Sequence, residues 1–167
     1  MIRSYATKIS FTGWVLVEMA DRSLLLSLLC AIVLLAGCST GYGPSNYDAD
    51  APTEYTTTES GLKYRILRKS DKPKPHETSH VKVDYVGTLP DGTVFDSTYE
   101  RGQPATLNLY NVVKGFREGL QLVGEGGMIE INIPSELGYG ELGQRNAVPP
   151  NTDIHFIVEV IRVFDRK

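Results

Sequence analysis

Four stretches of this chain alternate apolar and polar residues with a period of two, and that pattern restricts its fold more than any other feature. In GLKYRILRK, Leu62, Tyr64 and Ile66 alternate with Lys63 and Arg65. In HVKVDYVGTL, Val81, Val83, Tyr85 and Leu89 alternate with Lys82, Asp84 and Thr88. Further on, Ile129, Ile131 and Ile133 alternate with Glu130 and Asn132, and DIHFIVEVIRV sets Ile154, Phe156, Val158 and Val160 on one face. Successive side chains of a strand point to opposite faces, so each stretch reads as a half-buried strand. The Asp-Gly pair in PDGT (residues 90–93) marks a tight turn before VFDS resumes extended structure. Alternation with one polar face is the signature of an antiparallel sheet that buries one side and leaves the other to solvent.

One helix is expected against that sheet. In VVKGFREGLQLV, Val112, Val113, Phe116, Leu120 and Val123 recur at helical spacing, and Asn111 is positioned to cap the segment. Gly115 and Gly119 weaken such a helix in isolation, so packing on the sheet must hold it. The fold class is α+β: a curved antiparallel β-sheet of five to six strands wrapped around one short α-helix. Both cysteines, Cys30 and Cys38, precede this region, so it forms no internal disulfide and depends on its apolar core. A formal charge of −3 without a basic run gives no reason to expect a nucleic-acid partner.

The N-terminal third has a different composition. SLLLSLLCAIVLLAG, Ser23 to Gly37, has the length of a signal-peptide core and is short for a membrane span. LAGC resembles the lipobox of bacterial lipoproteins, which implies cleavage before Cys38 and lipidation of that residue. Ser39 after it resembles the outer-membrane sorting pattern. Residues 1–37 are therefore assigned as the signal, with Met19 as an alternative start. Residues 38–60 are assigned as the lipidated cysteine and a disordered tether, because STGYGPSNYDADAPTEYTTTES is rich in Gly, Pro, Ser, Thr and acids and has no period. Such a tether would reach about 25 Å. Residues 61–167 form the folded domain.

The chemistry-bearing patterns are mostly negative. HETSH (residues 76–80) has H-E-x-x-H spacing, with Glu100 as a conceivable third ligand, but that motif binds zinc only on a helix. Pro73 and Pro75 favour an extended approach, Thr78 and Ser79 are poor helix formers, and a strand begins near His80. No metal site is therefore assigned, and His155 is expected on the outer face of its strand. No cysteine nucleophile, G-x-S-x-G elbow or phosphate loop is present in the domain. Asp84, Asp91 and Asp96 do not form a carboxylate pair, since Asp84 faces outward and Asp91 sits in a turn.

Three collinear blocks carry a resemblance: VDYVGTLPDGTVFDSTYERGQPATLNL, VVKGFREGLQLVGEGGMIEINIPSELGYG and VPPNTDIHFIVEVI. Together they resemble the FKBP-type peptidyl-prolyl cis-trans isomerases over essentially the whole domain. The resemblance implies a proline pocket with Phe116 as floor, Phe95 and Phe156 as walls, and Tyr85, Val112 and Val148 beside them. It also implies that the Val113 N–H and the Tyr139 hydroxyl bind substrate carbonyls, and that Arg101 and Tyr85 hold Asp96 at the rim. Phe116 stands where the family usually has tryptophan, and Ala105 where some members have an aromatic.

The implied activity is acceleration of X-Pro isomerisation in exported proteins, with no cofactor, metal or covalent intermediate. The alternative is a non-catalytic proline-peptide binding module or holdase chaperone using the same groove. The implied partners are proline-containing unfolded or partly folded polypeptides and macrolide inhibitors, with the membrane reached through the lipid on Cys38. No helical pairing arm is read before the domain, so a monomer is expected. The implied location is the outer membrane, facing the periplasm.

Overall fold

The computed structural model describes residues 43–164, all of which belong to one compact unit. The expected signal segment and Cys38 lie outside the described residues. Among the described residues, no helix is long and apolar enough to cross a membrane. Seven strands form one antiparallel sheet: β1 (Thr56–Thr57), β2 (Lys63–Arg68), β3 (His80–Thr88), β4 (Val94–Ser97), β5 (Ala105–Asn108), β6 (Met128–Ile133) and β7 (Ile154–Phe164). The order is β1-β2-β6-β7-β3-β4, with β5 also on β3. The alternation read from the sequence is realised: Val81, Val83, Ile129, Ile131, Ile133, Ile154, Val158 and Val160 are buried in one core. The Asp-Gly turn joins β3 to β4, with the Asp91 carboxylate accepting the Thr93 N–H at 2.9 Å.

The free edge of β3 is shared by two short strands lying end to end. β5 pairs with His80 to Val83, and β4 pairs with Val86 to Thr88. Between them the chain leaves the edge in a one-turn helix, α1 (Thr98–Arg101), which the sequence reading did not anticipate. Ser97 caps it by accepting the Glu100 N–H, and Gly102 ends it in the left-handed region at φ 69°. The excursion strips Tyr85 of a ladder partner on this side. The fully buried Thr98 hydroxyl supplies one, accepting the Tyr85 N–H at 2.8 Å and facing the Tyr85 carbonyl at 3.3 Å. A buried amide left without a partner would cost about 1–3 kcal/mol.

The main helix, α2 (Lys114–Leu120), crosses the concave face of the sheet. Its glycines are the reason it can lie so close. A Cβ on Gly115 would stand 2.5 Å from Ile133, and one on Gly119 would stand 2.9 Å from Ile131. The expected cap is corrected. Asn111 ends a 3-10 turn, Leu109–Asn111, capped by the Asn108 side chain, which accepts the Tyr110 N–H at 3.0 Å. Val112 and Val113 then stay extended, as suits β-branched residues, and α2 starts only at Lys114 with Val113 at its N-cap.

A second correction concerns the tether and the convex face. Residues 47–57 are not free chain. The Asp48 N–H donates to the Leu67 carbonyl at 2.8 Å, the Asp48 carboxylate accepts the Lys69 N–H at 2.7 Å, and Thr56 and Thr57 pair with Tyr64 and Lys63. This strap covers a face that alternation alone assigned to solvent. Leu67 is 4% exposed there. Beneath the strap Glu130, 6% exposed, accepts from the Tyr55 hydroxyl at 2.6 Å, pairs with Arg65, and bonds His155 Nε2 at 2.8 Å. Low hydrophobicity signalled disorder, but tyrosine and well-placed acids found partners in the sheet.

Candidate active site

Phe156 is the centre of an aromatic cluster on the concave face. It meets Phe116 at 5.0 Å, Phe95 at 5.4 Å and Tyr85 at 5.8 Å between ring centroids, all edge to face. Edge-to-face contacts of this kind hold each ring in one orientation. β7 supplies Phe156, β3 supplies Tyr85, α2 supplies Phe116 and β4 supplies Phe95. Gly87 makes the crossing possible, since a Cβ there would stand 2.6 Å from Phe156 and 2.9 Å from Phe95. The rings leave a cavity of about 330 Å³, lined also by Asp96, Val112, Val113 and Tyr139. Its size lies within the usual range for small-ligand pockets.

The polar groups are confined to the rim. The Tyr85 hydroxyl donates to Asp96 Oδ2 at 2.6 Å, Arg101 pairs with Asp96 Oδ1, and a second Arg101 nitrogen donates to the Tyr85 oxygen at 3.1 Å. The Arg101 guanidinium also stands 5.6 Å from the Tyr85 ring centre. Both members of the ion pair are substantially exposed, so it contributes little stability and its effect is to orient the carboxylate. Burial, and then the bond to Asp96, push the Tyr85 hydroxyl up to about 12, so it stays a donor. Burial and the Asp96 charge also raise Tyr139. The Val113 N–H precedes the first turn of α2, where helix geometry offers it no internal acceptor.

Seven of the ten residues expected at the pocket line this cavity: Tyr85, Asp96, Val112, Val113, Phe116, Tyr139 and Phe156. The other three stand behind or beside it. Phe95 buttresses Phe156, Arg101 holds Asp96, and Val148 lies in the loop after Tyr139, where it exchanges backbone hydrogen bonds with Gln144. Sequence reasoning missed Leu107, Asn111 and Gln144 as lining residues. Leu107 alternates with Thr106 and Asn108 and could have been read as a further strand position. Nothing local marks Gln144. The H-E-x-x-H segment forms a turn entering β3, so His76 and His80 share no helical face.

An antiparallel sheet wrapped on a short helix, with an aromatic-lined cavity between them, makes this an α+β fold built around one small apolar site. Residues 71–161 match the family model described as FKBP-type peptidyl-prolyl cis-trans isomerase, and the chain belongs to that family. It is 50% identical over 107 residues to a probable FKBP-type peptidyl-prolyl cis-trans isomerase of Haemophilus influenzae, covering 64% of this chain and 44% of that protein. It is 40% identical over 104 residues to the outer membrane protein MIP of Legionella longbeachae, covering 62% of this chain and 45% of the relative. Among solved structures, FkpA from Escherichia coli superposes with a TM-score of 0.65 at 29% identity, covering 95% of this chain and 75% of that one. A peptidyl-prolyl cis-trans isomerase from Pseudomonas syringae gives 0.63 at 32% identity, covering 68% and 84%. The chain spans about half the length, or less, of the curated relatives it matches.

Proposed function

We propose that this protein accelerates cis-trans isomerisation of X-Pro bonds in exported polypeptides. The observation that carries the reading is the cavity of about 330 Å³ walled by Tyr85, Phe116 and Phe156, with its polar groups at the edge. Rotation about a peptide bond meets a barrier of about 18–20 kcal/mol because resonance is lost in the twisted form. The planar amide is the more charge-separated species, so an apolar wall stabilises it less than water does. The twisted bond loses less on transfer, and the barrier falls. The Val113 N–H and the Tyr139 hydroxyl hold the carbonyls flanking the proline, while Asp96, fixed by Tyr85 and Arg101, sets the field at the rim. A lowering of about 7 kcal/mol would accelerate the reaction about 10⁵-fold. Macrolides that mimic a prolyl amide are expected to compete for the pocket.

The proposal extends to location. The apolar run Ser23 to Gly37 and the LAGC sequence support export and lipidation at Cys38, and a relative bears the name outer membrane protein MIP. The domain is proposed to act as a monomer held near the periplasmic face of that membrane. The test is a protease-coupled proline-peptide assay on protein beginning at residue 42, which keeps the strap on the sheet. Acceleration abolished by a macrolide supports the proposal. No acceleration above the spontaneous rate, with aggregation of an unfolded client still suppressed, would replace it with a non-catalytic chaperone.

A further inference from the structure

We infer that Thr98 is a positioning residue for the pocket: its buried hydroxyl stands in for the missing strand beside Tyr85 and thereby fixes the phenol that orients Asp96. The inference rests on the proposed isomerase reading. The break in the edge of β3 falls opposite Asp84 and Tyr85, because β5 pairing ends at Val83 and β4 pairing begins at Val86. On its other side Tyr85 lies opposite Val158 of β7, but its N–H and C=O both point away from that strand, towards the broken edge. On the broken side, the N–H and the C=O of Tyr85 meet the same oxygen, Thr98 Oγ1, at 2.8 and 3.3 Å. A single hydroxyl both accepts and donates, as the one residue opposite would do with its N–H and C=O in an antiparallel strand.

The chain leaves the edge here for a reason the site makes plain. Asp96 and Arg101 must both face the Tyr85 hydroxyl, and the turn of α1 brings Arg101 back over the ring that Asp96 already touches. A continuous strand through residues 98–101 would carry Arg101 away along the sheet. The helical turn gains the clamp and loses the ladder, and Thr98 repairs the loss. Thr98 is fully buried, so bulk solvent does not reach these groups. A serine keeps this chemistry, whereas valine keeps the shape and loses both bonds.

The experiment compares Thr98→Val, Thr98→Ser and Tyr85→Phe, singly and in pairs, in the full chain. Three quantities are read: kcat/KM on a proline peptide, the thermal midpoint, and the alkaline titration of Tyr85 by tyrosinate absorbance, taken as the difference from Tyr85→Phe. Thr98→Val is expected to lower kcat/KM at least fivefold and to move the Tyr85 titration down towards the ordinary tyrosine range. Thr98→Ser is expected to restore both. In the Tyr85→Phe background, Thr98→Val should cost less than half its single effect on kcat/KM. Val160→Ala, a core change on β7, serves as a control matched for lost stability. If Thr98→Val fails to fold, Thr98→Ala takes its place in each comparison. Equal losses in the control, additive effects with Tyr85→Phe, or an unmoved titration would overturn the inference. The titration needs no turnover, so an inactive wild-type chain would sink the isomerase reading while leaving this test standing.

Discussion

Neighbouring residues of β6 and β7 build two opposite environments on the two faces of the same sheet. Ile131 and Phe156 pair on the concave side, in the apolar core that borders the cavity. One residue earlier on each strand, Glu130 and His155 face the convex side and bond each other beneath the strap. On the convex side the buried carboxylate has three partners, two of them on the sheet and Tyr55 on the strap, and a smaller cavity of about 240 Å³ remains under the strap. On the concave side the rings touch edge to face and leave a cavity beside them. A face that serves stability alone can satisfy every group internally. A face that binds must leave apolar surface uncovered, and that restricts its polar atoms to the rim.

The largest effect that separates the two faces is expected from Phe156→Leu. The variant loses edge-to-face contacts to Tyr85, Phe95 and Phe116, each about 0.5–1.5 kcal/mol beyond the area lost. Stability by urea denaturation should fall by about 2–4 kcal/mol. Isomerase kcat/KM should fall at least tenfold, since the wall against the prolyl ring is gone. Activity within twofold of wild type would mean that the aromatic cluster is only core.

Glu130→Gln should show the reverse profile. Burial pushes the Glu130 carboxyl up, but bonds from His155, Arg65 and Tyr55 outweigh it and bring the group down to about 2. A carboxyl lowered on folding adds stability above its unfolded value, near 4.5, and loses it as pH falls from there towards 2. The variant should lose about 2–3 kcal/mol at pH 7. The difference from wild type should shrink steadily between pH 4.5 and 2, where other carboxylates cancel between the two proteins. Its kcat/KM should match wild type. A constant difference across that range would remove the carboxylate from the account, and a loss of activity would show that the two faces are coupled.

The same contrast explains what could be read from the sequence. The concave face was legible because a period of two needs only near neighbours: Val81, Val83 and Tyr85 announce their side of β3 whatever else the chain does. The aromatic members of the pocket followed from a family pattern that fixes their spacing. What stayed hidden were interactions across long separations between polar residues. Tyr55 meets Glu130 from 75 positions away, and neither residue's local sequence marks the other. Thr98 was passed over because a threonine after VFDS reads as more strand, although Ser97 three residues before Glu100, with Gly102 beyond, is the local pattern that starts and ends the helical turn. Asn111 misled because Asn-Val-Val resembles a cap followed by a helix, whereas the two valines remain extended and leave an N–H at the cavity.

The smallest effect, and the one that isolates the strap, is expected from Tyr55→Phe. The ring stays, so its contact with the Arg65 guanidinium, 5.1 Å from the ring centre, is kept. The hydroxyl bond to Glu130 is lost, which should cost about 0.5–1.5 kcal/mol. The loss should appear as local opening rather than global unfolding, because the segment touches the sheet through few backbone bonds. Hydrogen exchange should therefore accelerate at the Asp48 amide, which donates to Leu67, while amides of β6 and β7 beside the aromatic cluster keep wild-type rates. The isomerase rate should not change, since the cavity lies on the other face. Equal acceleration on both faces would show that the strap is part of the core's cooperative unit, and no acceleration at Asp48 would show that the hydroxyl does not hold it.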